Sequence, residues 1–558
     1  MKGINKKMDS NKQMADLLFK NITKTPDDYE QMYPKRNLEE GAVVTRFAPS
    51  PTGFLHFGGL FAAFIGKTAT KSTNGVFYLR IEDTDKKREV ENGVSLIVKG
   101  LNDFGIEIDE GMLSETDEKG AYGPYTQSKR KDIYQAYVKS LVEQGLAYPC
   151  FMTEEELATI REKQESEKLL PGVYGEFAKY RDITVEEAQK RIENGDEYVV
   201  RLKSPGKEDK RIKFKDVIKG EIEMPENILD VVLLKKDGTP TYHFAHIVDD
   251  HLMRTTHVIR GDEWISSVPI HLQLFWLCGL KPPKYAHISP MKEENGGKRK
   301  LSKRKDPEAA VSYYSEVGYP KGAIWEYLMT LANSNYEDWR LANPNEDIDN
   351  FKFSFSKMSK AGALFDMVKL ADVSKNYICR LSAEEVYEMV TDWAKENNKK
   401  LYKLLVDDEE YAKAIFAIER GNAKPRKDIS AWTDVENYVS YFYSELWDRK
   451  FDFPDNLSND DMIEILELYK QIYDENVSSD DWFPQVRDMA ETIGYAKAPK
   501  VYKKDPDSYK GHVGDVAGVI RVAATGRRNT PDLYEILQVL GKDEVMKRFD
   551  EAIESLRG

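Results

Sequence analysis

The sequence predicts an α/β protein built on a parallel sheet, with an inserted α+β domain and an all-helical C-terminal region. Three observations carry that prediction. Val43-Val-Thr-Arg-Phe47, a Pro/Gly-rich loop, an apolar helix from about Gly58 to Thr70 and Val76-Phe-Tyr-Leu-Arg-Ile81 follow one another as strand, loop, helix and strand. That order is a βαβ unit, which implies parallel strands covered by helices. Strand-like runs return at Ile228–Leu234 and His257–Arg260, with a helix Val268–Cys278 after the second. Beyond about residue 309 strand signals fade and helical periodicity dominates to Gly558.

The remaining segments are read in order. Residues 1–40 are charged, with one short amphipathic stretch at Met14–Phe19, and form an N-terminal extension whose role the sequence does not disclose. Residues 41–109 and 216–308 are expected to be the two halves of the parallel-sheet domain. Between them, 110–215 reads as an insertion. It carries capping boxes at Thr153/Glu156 and Thr184/Glu187 and a strand at Tyr198–Leu202. Residues 309–380 and 381–558 complete the chain, the latter opened by a capped helix at Ser382/Glu385.

Composition bounds the function. The chain has 558 residues, 41% apolar and 32% charged, enough for several cores. With 82 Lys+Arg against 96 Asp+Glu the net charge is −14, which argues against coating nucleic acid through bulk positive charge but leaves local basic grooves open. Cys150, Cys278 and Cys379 lie far apart with no CxxC pair, so neither a disulfide framework nor a Cys-rich zinc site is expected. No apolar run of about 18 residues occurs and the N-terminus lacks a leader pattern; a cytoplasmic protein without a membrane partner is expected.

Two segments carry chemistry. In Arg46-Phe-Ala-Pro-Ser-Pro-Thr-Gly-Phe-Leu-His-Phe-Gly-Gly59, a loop enters a helix whose first turn is small. Gly58 and Gly59 let a ligand approach backbone N–H groups at a helix N-terminus, which favours anions, and His56 stands at that opening. Alone, such a segment is more often a glycine-rich turn with a surface histidine. In Asn295–Lys305, Lys300-Leu-Ser-Lys-Arg304 is set in a glycine-loosened loop. Residues 292–305 hold seven basic and two acidic side chains. A loop of that kind can close over a polyphosphate and neutralise a leaving pyrophosphate; alone, such a run is more often a solvated basic loop or a nucleic-acid patch.

Together these segments resemble the HxGG and KMSKS signatures of class I aminoacyl-tRNA synthetases, about 240 residues apart. The surrounding RFAPSPTGFLHFGG, RIEDTD (Arg80–Asp85), TYHFAHIVDDHLM (Thr241–Met253) and HVIRGDEW (His257–Trp264) look like the glutamyl-tRNA synthetase family, from about residue 42 to the C-terminus. Lys357-Met-Ser-Lys-Ala361 is nearer the KMSKS consensus. It runs into apolar Ala363–Val368, the pattern of a packed helix, so the ATP loop is assigned to 300–304.

The resemblance implies a Rossmann-type catalytic domain, an acceptor-arm-binding insertion, a stem-contact domain at 309–380 and a helical anticodon-binding region of the bacterial type. It places Arg46, Ser50, Glu82, Tyr242 and Arg260 around glutamate, with Glu82 toward the ammonium and the arginines toward carboxylate. His56, Gly58, Gly59, Lys300, Leu301, Ser302, Lys303 and Arg304 fall on ATP, with His56, Lys300 and Lys303 assisting the chemistry. Arg521, Arg527 and Arg528 are implied to touch tRNA, Lys424–Lys427 more weakly, and the basic run 201–219 to meet the acceptor arm. ATP with Mg²⁺, L-glutamate and tRNA(Glu) are the implied ligands, tRNA(Gln) stays open as a second acceptor, and a monomer is expected. Two departures stand out. His246 replaces the Asn or Val of many relatives, and Tyr148-Pro-Cys-Phe-Met152 lacks the Cys/His set of zinc-binding relatives. Charging of glutamine, which an arginine at 260 opposes, and a catalytically silent RNA-binding paralogue are the alternatives.

Overall fold

The structure, a computed structural model, describes residues 2–52, 55–85, 90–289, 292–293 and 310–558. It divides into two units, residues 1–313 with 328–366, and residues 314–327 with 367–558.

The first unit is built on strands. β1 (Val44–Phe47), β2 (Val76–Leu79), β3 (Glu110–Met112) and β4 (Glu118–Lys119) form one sheet in that order. β1–β2–β3 are parallel and β4 turns back antiparallel. The chain then runs through β5 (Ala147–Cys150), β6 (Val199–Leu202), the hairpin β7 (Arg211–Asp216) and β8 (Gly220–Pro225), β9 (Val232–Leu234), β10 (His257–Gly261) and β11 (Lys284–Ile288). A second sheet has the order β10–β11–β7–β8, parallel until the hairpin. The two sheets meet where Thr256 N donates to Val44 O at 2.9 Å and Val44 N donates to Thr256 Oγ1 at 2.8 Å. The expected βαβ unit is present, its helix spanning Phe57–Lys71. Tight crossing fixes a glycine in it: a Cβ on Gly66 would stand 2.8 Å from the Phe77 ring on β2.

Two expectations about strands are corrected. Residues 228–234 do not join the parallel sheet; β9 pairs antiparallel with β6, which pairs antiparallel with β5. Buried Asp230 holds that arrangement, accepting from Ser204 N at 2.8 Å and from Tyr148 Oη at 2.9 Å. Residues 211–215, read as the end of the insertion, instead lie in β7, which with β8 edges the β10–β11 sheet. Alternation in β7 turns Ile212 and Phe214 inward onto Val258, Val268, Leu272 and Tyr285, a half-buried strand pattern.

Capping follows the sequence in most places. Thr153/Glu156 and Ser382/Glu385 form reciprocal boxes, whereas at Thr184 the hydroxyl accepting from Glu187 N is the cap contact. Residues 363–368 differ from expectation. Leu364–Phe365 form β13, paired parallel with β12 (Lys292–Glu293), and a helix starts only at Met367. Gly362 at φ +92° breaks the backbone before it, and Phe365 is buried edge-on to Phe57 at 5.0 Å.

The N-terminal extension is part of the first unit. Its helix Pro26–Met32 is capped by Thr25, and the following segment lies on the sheet domain. Arg36 makes a forked pair with Glu110 at 2.7 and 2.9 Å and covers the Tyr122 ring at 3.9 Å.

In the second unit regular structure is helical, around a core that includes Val390, Phe416, Ile465, Val519 and Phe549. Arg548 is buried there, donating to Tyr441 O and Ala524 O at 2.6 and 2.7 Å beneath Trp447.

Candidate active site

The site forms where β1, β2 and β10 end. After β1 the chain passes Pro49 and Pro51 and enters the helix Phe57–Lys71, whose N-cap is His56 in extended backbone. His56 Nδ1 accepts from Gly58 N at 3.0 Å. A ring nitrogen that accepts cannot carry hydrogen, so the neutral ring keeps its proton on Nε2 and presents a donor. The helix's first turn holds no acidic side chain. A Cβ on Gly59 would meet Leu55 Cδ1 at 3.1 Å, and one on Gly58 would meet His56 Nδ1 at 3.3 Å. Both glycines therefore answer to crowding at the cap.

Behind the loop lies a buried ionic cluster. The helix Tyr242–Leu252 places Asp249 and Asp250 next to each other, both buried. Asp250 receives Arg46 Nε at 3.1 Å and Arg80 Nη1 at 2.7 Å, while Arg80 Nη2 reaches Glu82 at 3.0 Å. Asp249 receives Arg130 Nε at 2.7 Å, Tyr134 Oη at 2.8 Å and Gln127 Nε2 at 2.9 Å. Pairing and hydrogen bonding of this kind offset the cost of burying these charges. Burial raises the Glu82 carboxyl above its ordinary value, opposed by Arg80 and Arg46. Asp250 is held well below its ordinary value because the pull of Arg46, Arg80 and His246 outweighs its burial.

Arg260 at the end of β10 is held differently. Its Nε donates to His287 Nε2 at 3.1 Å, Nη2 lies 3.3 Å from His271 Nδ1 and 3.5 Å from Trp264 O, and Nη1 lies 3.4 Å from Tyr242 Oη. Among the described residues no carboxylate pairs with it, although it is only 7% exposed. A buried guanidinium bonded to neutral acceptors alone is an electrostatic vacancy for an anion.

These parts face one cavity of about 600 Å³. Arg46, Ser50, His56, Gly58, Gly59, Glu82, Tyr242 and Arg260 all line it, so eight residues singled out in the sequence converge in space. Lys300, Leu301, Ser302, Lys303 and Arg304 lie outside the described residues. The lining also includes Thr84, Asp85, Glu263, Trp264 and Ser289, which sequence reasoning did not single out. Asp250, Arg80, Asp216 and His287 were missed as supports. Arg80, Asp249 and Asp250 stand inside the quoted motifs, but partners some 170 or 204 residues apart leave no local signal. His246 is fully buried, 2.7 Å from Asp250 and parallel to Tyr242, with burial lowering its pKa to about 3. It packs behind Tyr242 as a neutral ring.

Among the described residues no group of three or more His, Cys, Asp or Glu side chains is arranged to hold a metal ion, and no helix is long and apolar enough to cross a membrane.

The basic segments divide on inspection. In 201–219, Arg201 is buried on Asp230 O, and Lys219 binds Asp262 and Ser289. Lys207, Lys210, Arg211, Lys213 and Lys215 are exposed. In the helical unit Arg521 is committed to the fold, donating to the Thr530 and Pro531 carbonyls. Arg527 bonds Asn437 and Ser440 over Tyr441, and exposed Arg528 pairs with Asp452. Of Lys424–Lys427, Arg426 pairs with Asp428 at 2.7 Å.

Comparison with known proteins identifies the family. Residues 42–372 match the family described as "tRNA synthetases class I (E and Q), catalytic domain", and residues 507–553 match "Anticodon binding domain". A glutamate–tRNA ligase of Clostridium perfringens is 54% identical over 97% of this chain and 99% of its own length. One from Acetivibrio thermocellus is 48% identical over 97% of this chain and its own full length. The crystal structure of a glutamate tRNA ligase from Elizabethkingia meningosepticum in complex with its amino acid is similar with a TM-score of 0.73 at 29% identity. It covers 92% of this chain and 99% of that one.

Proposed function

This chain belongs to the glutamate–tRNA ligase family of class I aminoacyl-tRNA synthetases, and from that premise we propose that it activates L-glutamate with ATP and transfers it to tRNA(Glu). The observation that carries the choice of amino acid is Arg260. It is a buried guanidinium without a carboxylate partner among the described residues, in the same cavity as Glu82. A glutamate side chain supplies the missing anion, while its ammonium suits Glu82.

In the first step the α-carboxylate oxygen attacks the α-phosphorus of ATP, the bond to the β,γ-diphosphate breaks, and glutamyl-adenylate and pyrophosphate form. In the second a terminal ribose hydroxyl of tRNA, the 2′-hydroxyl by class resemblance, attacks the acyl carbon and AMP leaves. No side-chain nucleophile is needed, so positioning and charge stabilisation carry the catalysis. His56 Nε2–H and the N-terminus of its helix serve the phosphates, with Gly58 and Gly59 keeping the approach open. Lys300 and Lys303 are assigned to the triphosphate and the departing pyrophosphate, beside Leu301, Ser302 and Arg304. Mg²⁺ is expected with ATP and would offset the charge of the triphosphate. Tyr242 walls the amino-acid subsite, Ser50 lines its mouth, and Arg46 adds positive charge that Asp250 partly balances.

Exposed Lys207, Lys210, Arg211, Lys213 and Lys215 are assigned to the acceptor arm, Arg527 and Arg528 to the anticodon region, and Arg521 to holding their loop. Charging of tRNA(Glu) and tRNA(Gln) transcripts with labelled glutamate and glutamine tests the reading. Glutamate on tRNA(Glu) is expected. Glutamine without glutamate overturns it, and glutamate on both transcripts identifies a non-discriminating ligase.

A further inference from the structure

The groups around Arg260 fix one another's protons. A guanidinium in a protein stays charged and only donates, so His287 Nε2, 3.1 Å from Arg260 Nε, must accept. The His287 proton then sits on Nδ1, which lies 2.7 Å from Asp216 Oδ2. Asp216 is satisfied elsewhere: Oδ1 accepts from Ile218 N and Lys219 N at 2.9 and 2.8 Å, and Oδ2 also accepts from His287 N at 3.0 Å. Sheet register makes this possible, since Asp216 at the end of β7 is the partner of Tyr285 on β11.

The second side is built alike. His271 Nδ1, 3.3 Å from Arg260 Nη2, must accept, so its proton is on Nε2, 3.0 Å from His243 Nδ1. His243 therefore accepts and carries its own proton on Nε2. All three imidazoles are neutral, and burial with the nearby Arg260 charge lowers the pKa of each. Among the described residues the carboxylate hydrogen-bonded to these three rings is Asp216, and it stands behind the His287 ring. The guanidinium is thus held in a fixed orientation by lone pairs while keeping its full charge.

We propose that His287, oriented by Asp216, and His271 are positioning residues that aim Arg260 without neutralising it, and that this arrangement sets the preference for a side-chain carboxylate over a carboxamide. The inference rests on the assignment of glutamate as substrate. A carboxylate placed directly on Arg260 would satisfy the guanidinium internally and remove the reason to bind an anionic side chain. A neutral acceptor in the same place would not.

The test compares H287Q, H287E and H271Q with the unaltered protein. Glutamate and glutamine affinities are measured by calorimetry, and the KM for ATP by pyrophosphate exchange with tRNA(Glu) transcript present. H287Q, a neutral acceptor, is expected to retain glutamate affinity within about 10-fold, whereas H287E loses about 100-fold or more. Glutamine affinity in H287E should change less than about 10-fold, so that discrimination collapses, with the KM for ATP moving less than about 3-fold in either variant. H271Q, which keeps an acceptor toward Arg260 and a donor toward His243 Nδ1, should retain the glutamate preference even if H287E fails to fold. Equal damage from H287Q and H287E, parallel loss of glutamate and glutamine, a KM for ATP that rises with that for glutamate, or loss of discrimination in H271Q overturns the proposal. Unaltered protein that charges no glutamate overturns the functional reading beneath it; protein that charges glutamate while H287E discriminates normally overturns only the clamp.

Discussion

Arg46 and Asp250, separated by 204 residues, meet in the buried interior with Nε 3.1 and 3.3 Å from the two carboxylate oxygens. The same carboxylate takes Arg80, which also reaches Glu82, so Asp250 ties two guanidiniums together at the back of the substrate cavity. Removing a partner from a buried ion pair leaves an uncompensated charge, which costs about 3–5 kcal/mol. Asp250→Asn is expected to lower unfolding free energy by about that amount. Denaturant titration checks it, and a loss under about 1 kcal/mol would show that Arg46 and Arg80 find other compensation.

Glu82, which lines the cavity, is the residue proposed to hold the substrate ammonium, and only its ionised form attracts one. Burial raises its pKa above the ordinary 4.5, so in free enzyme it takes up a proton sooner on acidification than an exposed glutamate. The acid limb of kcat/KM for glutamate should therefore lie above 4.5, and Glu82→Gln should lower kcat/KM about 100-fold or more. A variant with wild-type kcat/KM removes Glu82 from the subsite.

Arg260→Ala is expected to raise the KM for glutamate by about 100-fold while the KM for ATP changes by less than about 3-fold. Arg260→Lys should recover little, because a point charge lacks the forked geometry that meets His287, His271 and a carboxylate together. Equal losses in both substrates would mean that Arg260 supports the whole domain instead of one subsite.

The contrast between Arg260 and Asp216 shows what a sequence discloses. Arg260, Glu82, Arg46 and His56 were legible because each sits in a contiguous motif, and chemistry at strand ends is encoded locally. Asp216 was not, since its function depends on register between β7 and β11, a pairing of segments 71 residues apart. For the same reason 228–234 read as one more buried strand: apolar runs give a strand's burial and say nothing of its partner. The tRNA candidates were legible as basic segments, but composition could not separate exposed Lys213 from buried Arg201, which the alternation of the hairpin and the bonds of Asp230 decide.

The N-terminal extension gives a stability prediction. Glu30 pairs with His251 and with Arg254 at 2.7 Å, and Arg36 pairs with Glu110, all on the sheet domain. Tyr33 Oη donates to Gly123 O at 2.8 Å and Tyr122 Oη to Pro34 O at 2.9 Å. Deletion of residues 1–40 uncovers these partners and the Tyr122 ring, so a lower melting temperature is expected. Arg36→Ala alone should cost about 1–3 kcal/mol through the half-buried Glu110 it leaves unpaired. Deletion without a change in melting temperature would show that the contacts contribute nothing net.

Acid sensitivity should arise in the first unit. His243, His246, His257, His271 and His287 all have lowered pKa values, chiefly through burial, with His246 at about 3 and His257 at about 4. In the unfolded chain each titrates near 6.5, so below that pH the unfolded state binds protons that the folded state refuses. Stability is therefore fully present above 6.5 and is lost as pH falls toward the folded values, up to about 1.4 kcal/mol per pH unit for each such residue. Asp216 and Asp250, whose pKa values are lowered, add to the loss at more acid pH. Between pH 7 and 5, before those carboxylates engage, the first unit is expected to lose more than about 2 kcal/mol. Hydrogen exchange corrected for intrinsic rates should show its peptides opening over that interval, while those of the helical core around Phe416 and Phe549 keep their protection. Equal acid sensitivity in the two sets of peptides would refute the assignment to these histidines. His257→Gln, which removes one proton uptake site without touching the substrate cavity, should make the first unit's slope measurably shallower.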